Sequence, residues 1–232
     1  MIFFDGIDIR TVAGVKVEDV KVSGIQLSPV TRPRAIDGGS VLVRNRAAGR
    51  TVVITFALLS QDLNDRMAAL DAIAEWAKTD KEYKLVLPGH LNRYLMAVCT
   101  EKPTPSTRQW WEAKLRLVFS CFNDPHWIDE TLKAVECGTN FTVRGDAPPI
   151  MQIERTLASD ASDQSYSLNG RTITFSTIPA GDLVIDLNKQ TAEVDGVSIM
   201  QHYNVNSRFL LPQTGFQACT GTGFVKYRER WQ

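Results

Sequence analysis

The chain has 232 residues, 44% hydrophobic and 22% charged, fractions of a globular protein that exclude a disordered or low-complexity one. Lys and Arg total 26, as do Asp and Glu, so the formal net charge is +0 and no chain-wide basic field exists to hold nucleic acid. The longest apolar stretch, Val52 to Leu59, is interrupted by Thr55 and is too short for a membrane span; Met1-Ile-Phe-Phe is stopped at Asp5 before a signal-peptide core can form. A soluble, unsecreted protein of one large or two small domains is expected.

Short strands with turn signals dominate the first half. Ile7 and Ile9 alternate with polar neighbours, as do Val15, Val17, Val20 and Val22, with a bulge or turn predicted at Glu18-Asp19. Val41-Leu42-Val43 and Thr51 to Leu59 predict two strands joined by a seven-residue loop, Arg44 to Arg50. One helix follows, from about Asp62 to Lys78. Its apolar stripe is Leu63, Met67, Leu70, Ile73, Ala74 and Ala77, and Ser60 or Asp62 is placed to cap it. Tyr83 to Leu87, a Pro88-Gly89 turn and Arg93 to Cys99 predict a hairpin. Trp111 to Cys121 is a clean amphipathic strand, with Trp111, Ala113, Leu115, Leu117, Phe119 and Cys121 on one face.

After Asp124-Pro125-His126-Trp127 the pattern changes to strands alone: Ile150–Ile153, Ser165–Leu168, Thr172–Phe175, Asp182–Leu187, Ala192–Val194, Val197–Met200, Arg208–Leu211 and Gly223–Tyr227. Asn169-Gly170, Ala180-Gly181 and Asp195-Gly196 punctuate them, and Asn-Gly or Asp-Gly is a strong hairpin signal. That density of short strands predicts a β-sandwich or jelly roll, so domains are expected over 1–130 and 131–232.

The search for chemistry is largely negative. Cys99, Cys121, Cys137 and Cys219 are separated by 22, 16 and 82 positions, which suits no zinc template, and all four read as structural thiols without a redox role. Gly221-Thr-Gly223 lacks the third glycine and following helix of a dinucleotide site and reads as a turn. His90, His126 and His202 each sit beside a turn signal and read as incidental. Asp182, Asp186, Glu193 and Asp195 cluster without forming an acid–base pair. Leu211-Pro-Gln-Thr-Gly215 copies a sortase signal and Asn140-Phe-Thr142 a glycosylation acceptor, both out of context. No catalytic residue, cofactor site or metal site is predicted, and the chain is not expected to be an enzyme.

Two features point to surfaces. Arg32, Arg34, Arg44, Arg46 and Arg50, opposed only by Asp37, give residues 32–50 a local excess of +4. A solvated loop pair accounts for that excess; so does a subunit or partner contact, where Arg is favoured for its bidentate pairing. Of Trp110 and Trp111, one must face away from the core unless a bulge intervenes, as an interface anchor or under a second packed layer.

Over nearly its full length the chain resembles the distal tail proteins of long-tailed, non-contractile bacteriophages, prophage-borne ones included. In the first part the resemblance is carried by the opening Phe-Asp-Gly-Ile, by Arg32-Pro-Arg34…Asp37-Gly38-Gly39, by Gly49-Arg50-Thr-Val-Val-Ile-Thr-Phe, by the single helix ending near Trp76, and by Phe122-Asn-Asp-Pro125. In the second part it runs through Gly138-Thr-Asn140, Ala147-Pro-Pro-Ile150, Gly181-Asp-Leu-Val-Ile185-Asp186, Val194-Asp-Gly196, Phe209-Leu-Leu-Pro212 and Tyr227-Arg-Glu-Arg-Trp231.

The resemblance implies a mainly β protein: an N-terminal β-barrel-like belt domain with one α-helix, and a C-terminal galectin-like β-sandwich. It implies a structural virion protein, assembled in the bacterial host cytoplasm, whose belt domain joins six copies into a ring at the distal tail. That homo-hexamer would join the tail tube protein to the tail-tip or baseplate hub protein, with the tape-measure protein as a further candidate partner. Phage DNA would pass through the lumen without specific nucleic-acid binding, and no membrane is involved. Two other functions stay open. A carbohydrate-binding module for host-surface attachment would need a Trp or Tyr on which to stack a sugar, and the second half offers only Tyr166, Tyr203, Tyr227 and Trp231. A cell-wall hydrolase would need the acid–base pair that is missing.

Overall fold

The computed structural model describes residues 1–12, 14–33, 40–60, 62–106 and 113–232, with side chains described outside 32–47 and 102–113. It is mainly β with one α-helix, as expected, and divides into two compact units: residues 1–127 with Gln232, and residues 128–231.

In the N-terminal unit the elements are β1 (Phe3–Phe4), β2 (Ile7–Asp8), β3 (Val15–Val22), β4 (Gln26–Pro33), β5 (Ser40–Leu58), helix α1 (Leu63–Trp76), β6 (Tyr83–Val86), β7 (Arg93–Ser106) and β8 (Ala113–Cys121). Antiparallel pairing gives the order β3-β5-β8-β7-β6-β1-β2, a sheet that stays open among the described residues. The expected alternation on β8 is real: Leu115, Leu117, Phe119 and Cys121 are fully buried. They lie in register with β5, where Phe56 faces Leu115, Ile54 faces Leu117 and Val52 faces Phe119. Each such buried side chain contributes about 1.5–3 kcal/mol. The predicted irregularity at Glu18-Asp19 is a bulge between Val17 and Asp19, where β3 pairs with β5.

Helix α1 is capped by Asp62, whose Oδ1 accepts from the backbone N–H of Asn64 at 2.6 Å and of Asp65 at 3.4 Å. Its buried face differs from the expected stripe. Ala69, Ile73, Trp76 and Ala77 turn inward, while Leu63 is 70% and Met67 52% exposed. Trp76 decides the rotation. Its indole Nε1 donates to the Ile7 carbonyl at 3.0 Å, and its ring packs edge-on against Phe4, Phe56 and Phe119 at centroid distances of 5.6, 6.3 and 5.9 Å.

A second correction concerns Arg44 to Arg50, expected to be a loop. Ser40–Leu58 is one 19-residue strand. Its first half pairs with β4 from Pro33↔Ser40 to Gln26↔Gly49, and its second half joins the sheet between β3 and β8. Backbone pairing makes a strand here although the side chains carry no apolar alternation.

The C-terminal unit follows β9 (Trp127–Asp129). Its strands are β10 (Lys133–Glu136), β11 (Phe141–Val143), β12 (Ala147–Leu157), β13 (Ala161–Leu168), β14 (Arg171–Ile178), β15 (Gly181–Asp186), β16 (Thr191–Val194), β17 (Val197–Ser198), β18 (Gly215–Gln217), β19 (Cys219–Thr220) and β20 (Phe224–Trp231). One sheet runs β17-β16-β15-β12-β20-β10, a second β14-β13-β19, and β11 pairs with β18. The sheets share one core, with Met151, Ile153, Leu183, Ile185 and Val225 from the first against Tyr166, Leu168, Ile173 and Phe175 from the second. Asn169-Gly170 and Asp195-Gly196 are the two-residue turns foreseen, each pair having positive φ (51° and 78°, 49° and 77°). Arg208–Leu211 is no strand: it belongs to the connection that lies along the β14 edge, with Arg208 N–H donating to the Thr172 carbonyl at 3.0 Å.

Tyr166 is 1% exposed, and its hydroxyl has no hydrogen-bond partner among the described residues. A buried hydroxyl left unsatisfied costs about 1–3 kcal/mol. Tyr166→Phe is therefore expected to stabilise the C-terminal unit by about 1 kcal/mol, read as a higher melting temperature by calorimetry.

Candidate functional site

The arm formed by β4 and the first half of β5 carries the arginine excess. Arg32 lies on β4 opposite Val41, Arg44 on β5 opposite Val30, and Arg46 on β5 opposite Ser28. Their side chains fall outside the described set, and Arg34, Trp110 and Trp111 lie outside the described residues altogether. Backbone topology thus gathers three of the candidate arginines on one two-stranded ribbon. Such a ribbon is only marginally stable by itself and gains from a surface to lie on.

Arg50 is different. It sits where the arm enters the sheet, opposite Cys121, and is only 5% exposed. Its guanidinium stands 5.8 Å from the ring centroid of Trp127, and His90 stacks on that same ring at 4.3 Å and 25°. The group borders a cleft of about 570 Å³ lined by Val22, Ser23, Leu27, Arg50, His126 and Trp127. His126 Nδ1 is 2.7 Å from Asp124 Oδ1. Two of the histidines read as incidental, His90 and His126, therefore border one cleft; His202 belongs to the other unit. The described residues hold no group of three or more His, Cys, Asp or Glu side chains placed to bind a metal.

A further surface flanks α1. Its unburied apolar side, with Met67, Leu70 and Ala74, faces a groove of about 860 Å³ whose other wall includes Cys99 and Thr100. Leu59 and Leu63 beside it are 59% and 70% exposed, an apolar patch of the kind that marks interaction surfaces.

Elsewhere the candidate chemistry is occupied. Asp182 Oδ1 accepts from the Thr156 hydroxyl, and Asp195 Oδ1 from the Asp182 N–H. Asp186 Oδ1 accepts from the backbone N–H of Asn188 and of Lys189, so three of the four clustered carboxylates are engaged in structural hydrogen bonds. Burial pushes the Cys121 thiol up to about 12 and raises that of Cys99, which leaves both protonated and inert at neutral pH. What sequence reasoning missed is the meeting of Cys137 and Cys219, whose sulfurs lie 3.8 Å apart. Their separation along the chain is 82 positions, and only the fold closes it.

No protein-family model matches the chain, and no curated protein matches it by sequence. Among solved structures, the Dit protein (gp 19.1) of phage SPP1 aligns with a TM-score of 0.76 at 15% identity, over 100% of this chain and 98% of that one. The chain has the Dit fold. That structure is described as a paradigm of hub adsorption apparatus in Gram-positive infecting phages. Structures of the phage p2 baseplate in its activated conformation, with Sr and with Ca, align with TM-scores of 0.48 and 0.49 at 8% identity, over 97% of this chain and 93% of theirs.

A shared fold does not assign a function, so the arm and its anchor must be tested on their own terms. Arg50→Lys keeps the charge but loses the planar group that lies against Trp127. It is expected to destabilise the N-terminal unit by about 1 kcal/mol in chemical denaturation.

Proposed function

We propose that the protein is a structural component of a phage virion, a ring-forming adaptor at the distal tail that joins the tail tube to the tail-tip or baseplate hub. In this reading residues 1–130 form the belt that closes six copies into a ring, and residues 131–232 form the outward sandwich. The partners are further copies of the chain, the tail tube protein and the hub protein, with the tape-measure protein a further candidate. The role is architectural and needs no catalytic group.

The observation that carries this is the β4–β5 arm, a two-stranded ribbon carrying Arg32, Arg44 and Arg46 whose described pairings are only within itself. A ribbon of that kind costs conformational entropy to order, and a neighbouring surface that receives it recovers the cost. Head-to-tail docking of one element onto the next copy is the geometry that closes a ring. The likeness of fold to SPP1 Dit supports the same reading. Arg32, Arg34, Arg44 and Arg46 are assigned to the contact, with Trp110 and Trp111, which lie between β7 and β8 in the sequence, as further contact residues. Arg50 braces the arm from inside its own unit.

Six chains of 25.9 kDa make a particle of about 155 kDa. Native mass spectrometry is expected to find that species, and negative-stain images to show a central hole. In the Arg44→Glu/Arg46→Glu double variant the concentration needed for assembly should rise about five- to thirtyfold, since each reversed contact loses roughly 0.5–1 kcal/mol at every interface. Unchanged assembly of that variant would remove the arm from the contact. A wild-type monomer at all concentrations, with the purified tube and hub proteins present, would remove the ring.

A further inference from the structure

The C-terminal unit contains a pair of cysteines that nothing in the proposed function uses. Cys137 directly follows β10, which belongs to the larger sheet; Cys219 begins β19, which belongs to the smaller one. Their backbones are already joined, because the N–H of Gly138 donates to the Cys219 carbonyl at 3.1 Å. The N–H of Cys137 donates to the Gly223 carbonyl at 2.9 Å, which fixes the other side of the same turn. Between these anchors the two sulfurs stand 3.8 Å apart, within reach of an S–H···S hydrogen bond in which either thiol can donate.

We propose that Cys137 and Cys219 are a dithiol that closes to a disulfide on exposure to a low-molecular-weight disulfide, locking the two sheets of the sandwich together. The geometry is close to what the bond requires. The sulfurs must approach by roughly 1.8 Å to reach a bond length of about 2.05 Å, a movement of the size that small side-chain rotations provide. Gly138 adjoins Cys137 in open space, with φ +94° and no atom near its Cβ position, so the turn can adjust.

Exposure sets the order of the exchange. Cys219 is buried and Cys137 half-buried, so Cys137, once deprotonated to the thiolate, is the sulfur that the reagent reaches. That thiolate attacks one sulfur of the reagent RSSR, forming a mixed disulfide and releasing RS⁻, which takes up a proton. Cys219, once deprotonated, attacks the Cys137 sulfur; the S–S bond between the cysteines forms and the bond to the second RS group breaks. Two thiols and one RSSR become one disulfide and two RSH, with two electrons passing to the reagent. The other two cysteines, Cys99 and Cys121, belong to the N-terminal unit, so Cys137 and Cys219 are the two thiols of the sandwich.

The bond would close a loop spanning 82 positions, most of the unit. Closing a loop of that length restricts the unfolded chain strongly, and the melting temperature of this unit should rise by on the order of 10 °C or more. On the proposed function, a virion component that leaves a reducing cytoplasm for an oxidising medium would acquire the lock on release. The chemistry itself does not rest on that function.

The test uses the full chain, incubated with oxidised glutathione or with dithiothreitol and then denatured for thiol titration. The oxidised sample is expected to lose two of its four thiols, and peptide mapping should find the segment containing Cys137 linked to that containing Cys219. Its thermal transition should rise and return on reduction. Cys137→Ser and Cys219→Ser should each show neither link nor shift. Four free thiols after oxidation, glutathione retained on Cys137 without a link, or a link between any other pair would each overturn the proposal. The wild-type map decides even if a serine variant fails to fold.

Discussion

The N-terminal unit depends on one strand having to satisfy two ladders. From Arg50 to Leu58, β5 is a central strand whose apolar residues meet those of β8; from Ser40 to Gly49 it pairs only with β4. The first stretch is held by burial, with Val52, Ile54, Phe56 and Leu58 essentially inaccessible to water. The second is held by main-chain hydrogen bonds, each worth only about 0.5–1.5 kcal/mol net. The junction between them therefore sets the direction of the arm. Two groups stiffen it: Arg50 against Trp127, and Gly49, where a Cβ would lie 3.1 Å from the Cys121 carbonyl oxygen.

How much could be read in advance follows from which force shapes each element. β8 was legible because burial on one face writes itself as alternation, and the hairpins at Asn169-Gly170 and Asp195-Gly196 because positive φ selects those residues. The arm was not legible: Arg44-Asn-Arg-Ala-Ala-Gly carries no apolar period, and main-chain pairing leaves no signature in side chains. Helix α1 was legible in extent and misread in rotation. Its apolar residues cover two faces roughly 130° apart, one through Leu63, Met67 and Ala74, the other through Ala69, Ile73 and Trp76. The indole hydrogen bond to Ile7, a contact spanning 69 positions, selects the second face. Of the candidate surface residues, the sequence marked the arginines by charge alone, and could not separate Arg50, which is buried, from those on the arm. It had no means of pairing Cys137 with Cys219.

Within the sandwich, buried polarity occurs where strands need fixing in register. Glu229 on β20 is 2% exposed, and its Oε1 accepts from the Arg144 N–H and lies 2.7 Å from Lys133 Nζ. A carboxylate removed from water is costly unless its partners are in place, so this one tolerates a single placement of β10 and β20. Gly223 acts in the same direction, because a Cβ there would lie 2.4 Å from the Glu154 carbonyl oxygen, and only glycine lets β20 begin beside β12 at φ +108°. The larger sheet is thus specified strand by strand. The cysteine pair lies where that sheet meets the smaller one, beside the main-chain hydrogen bond from Gly138 to Cys219.

Charge supplies the last link to assembly. The chain is neutral overall while residues 32–50 carry +4, so the remainder carries −4. In the proposed ring, a head-to-tail contact would set the positive arm of one copy against the negative remainder of the next, and each added copy would leave the assembly neutral. A like-to-like contact would bring two positive arms together and repel. The distribution therefore favours a polar, repeating contact over a two-fold dimer. The same argument makes the contact sensitive to salt, since exposed pairs separated by more than about 8–10 Å are screened at physiological ionic strength. A closed ring offsets that weakness by repetition, because a subunit must release two contacts at once to leave.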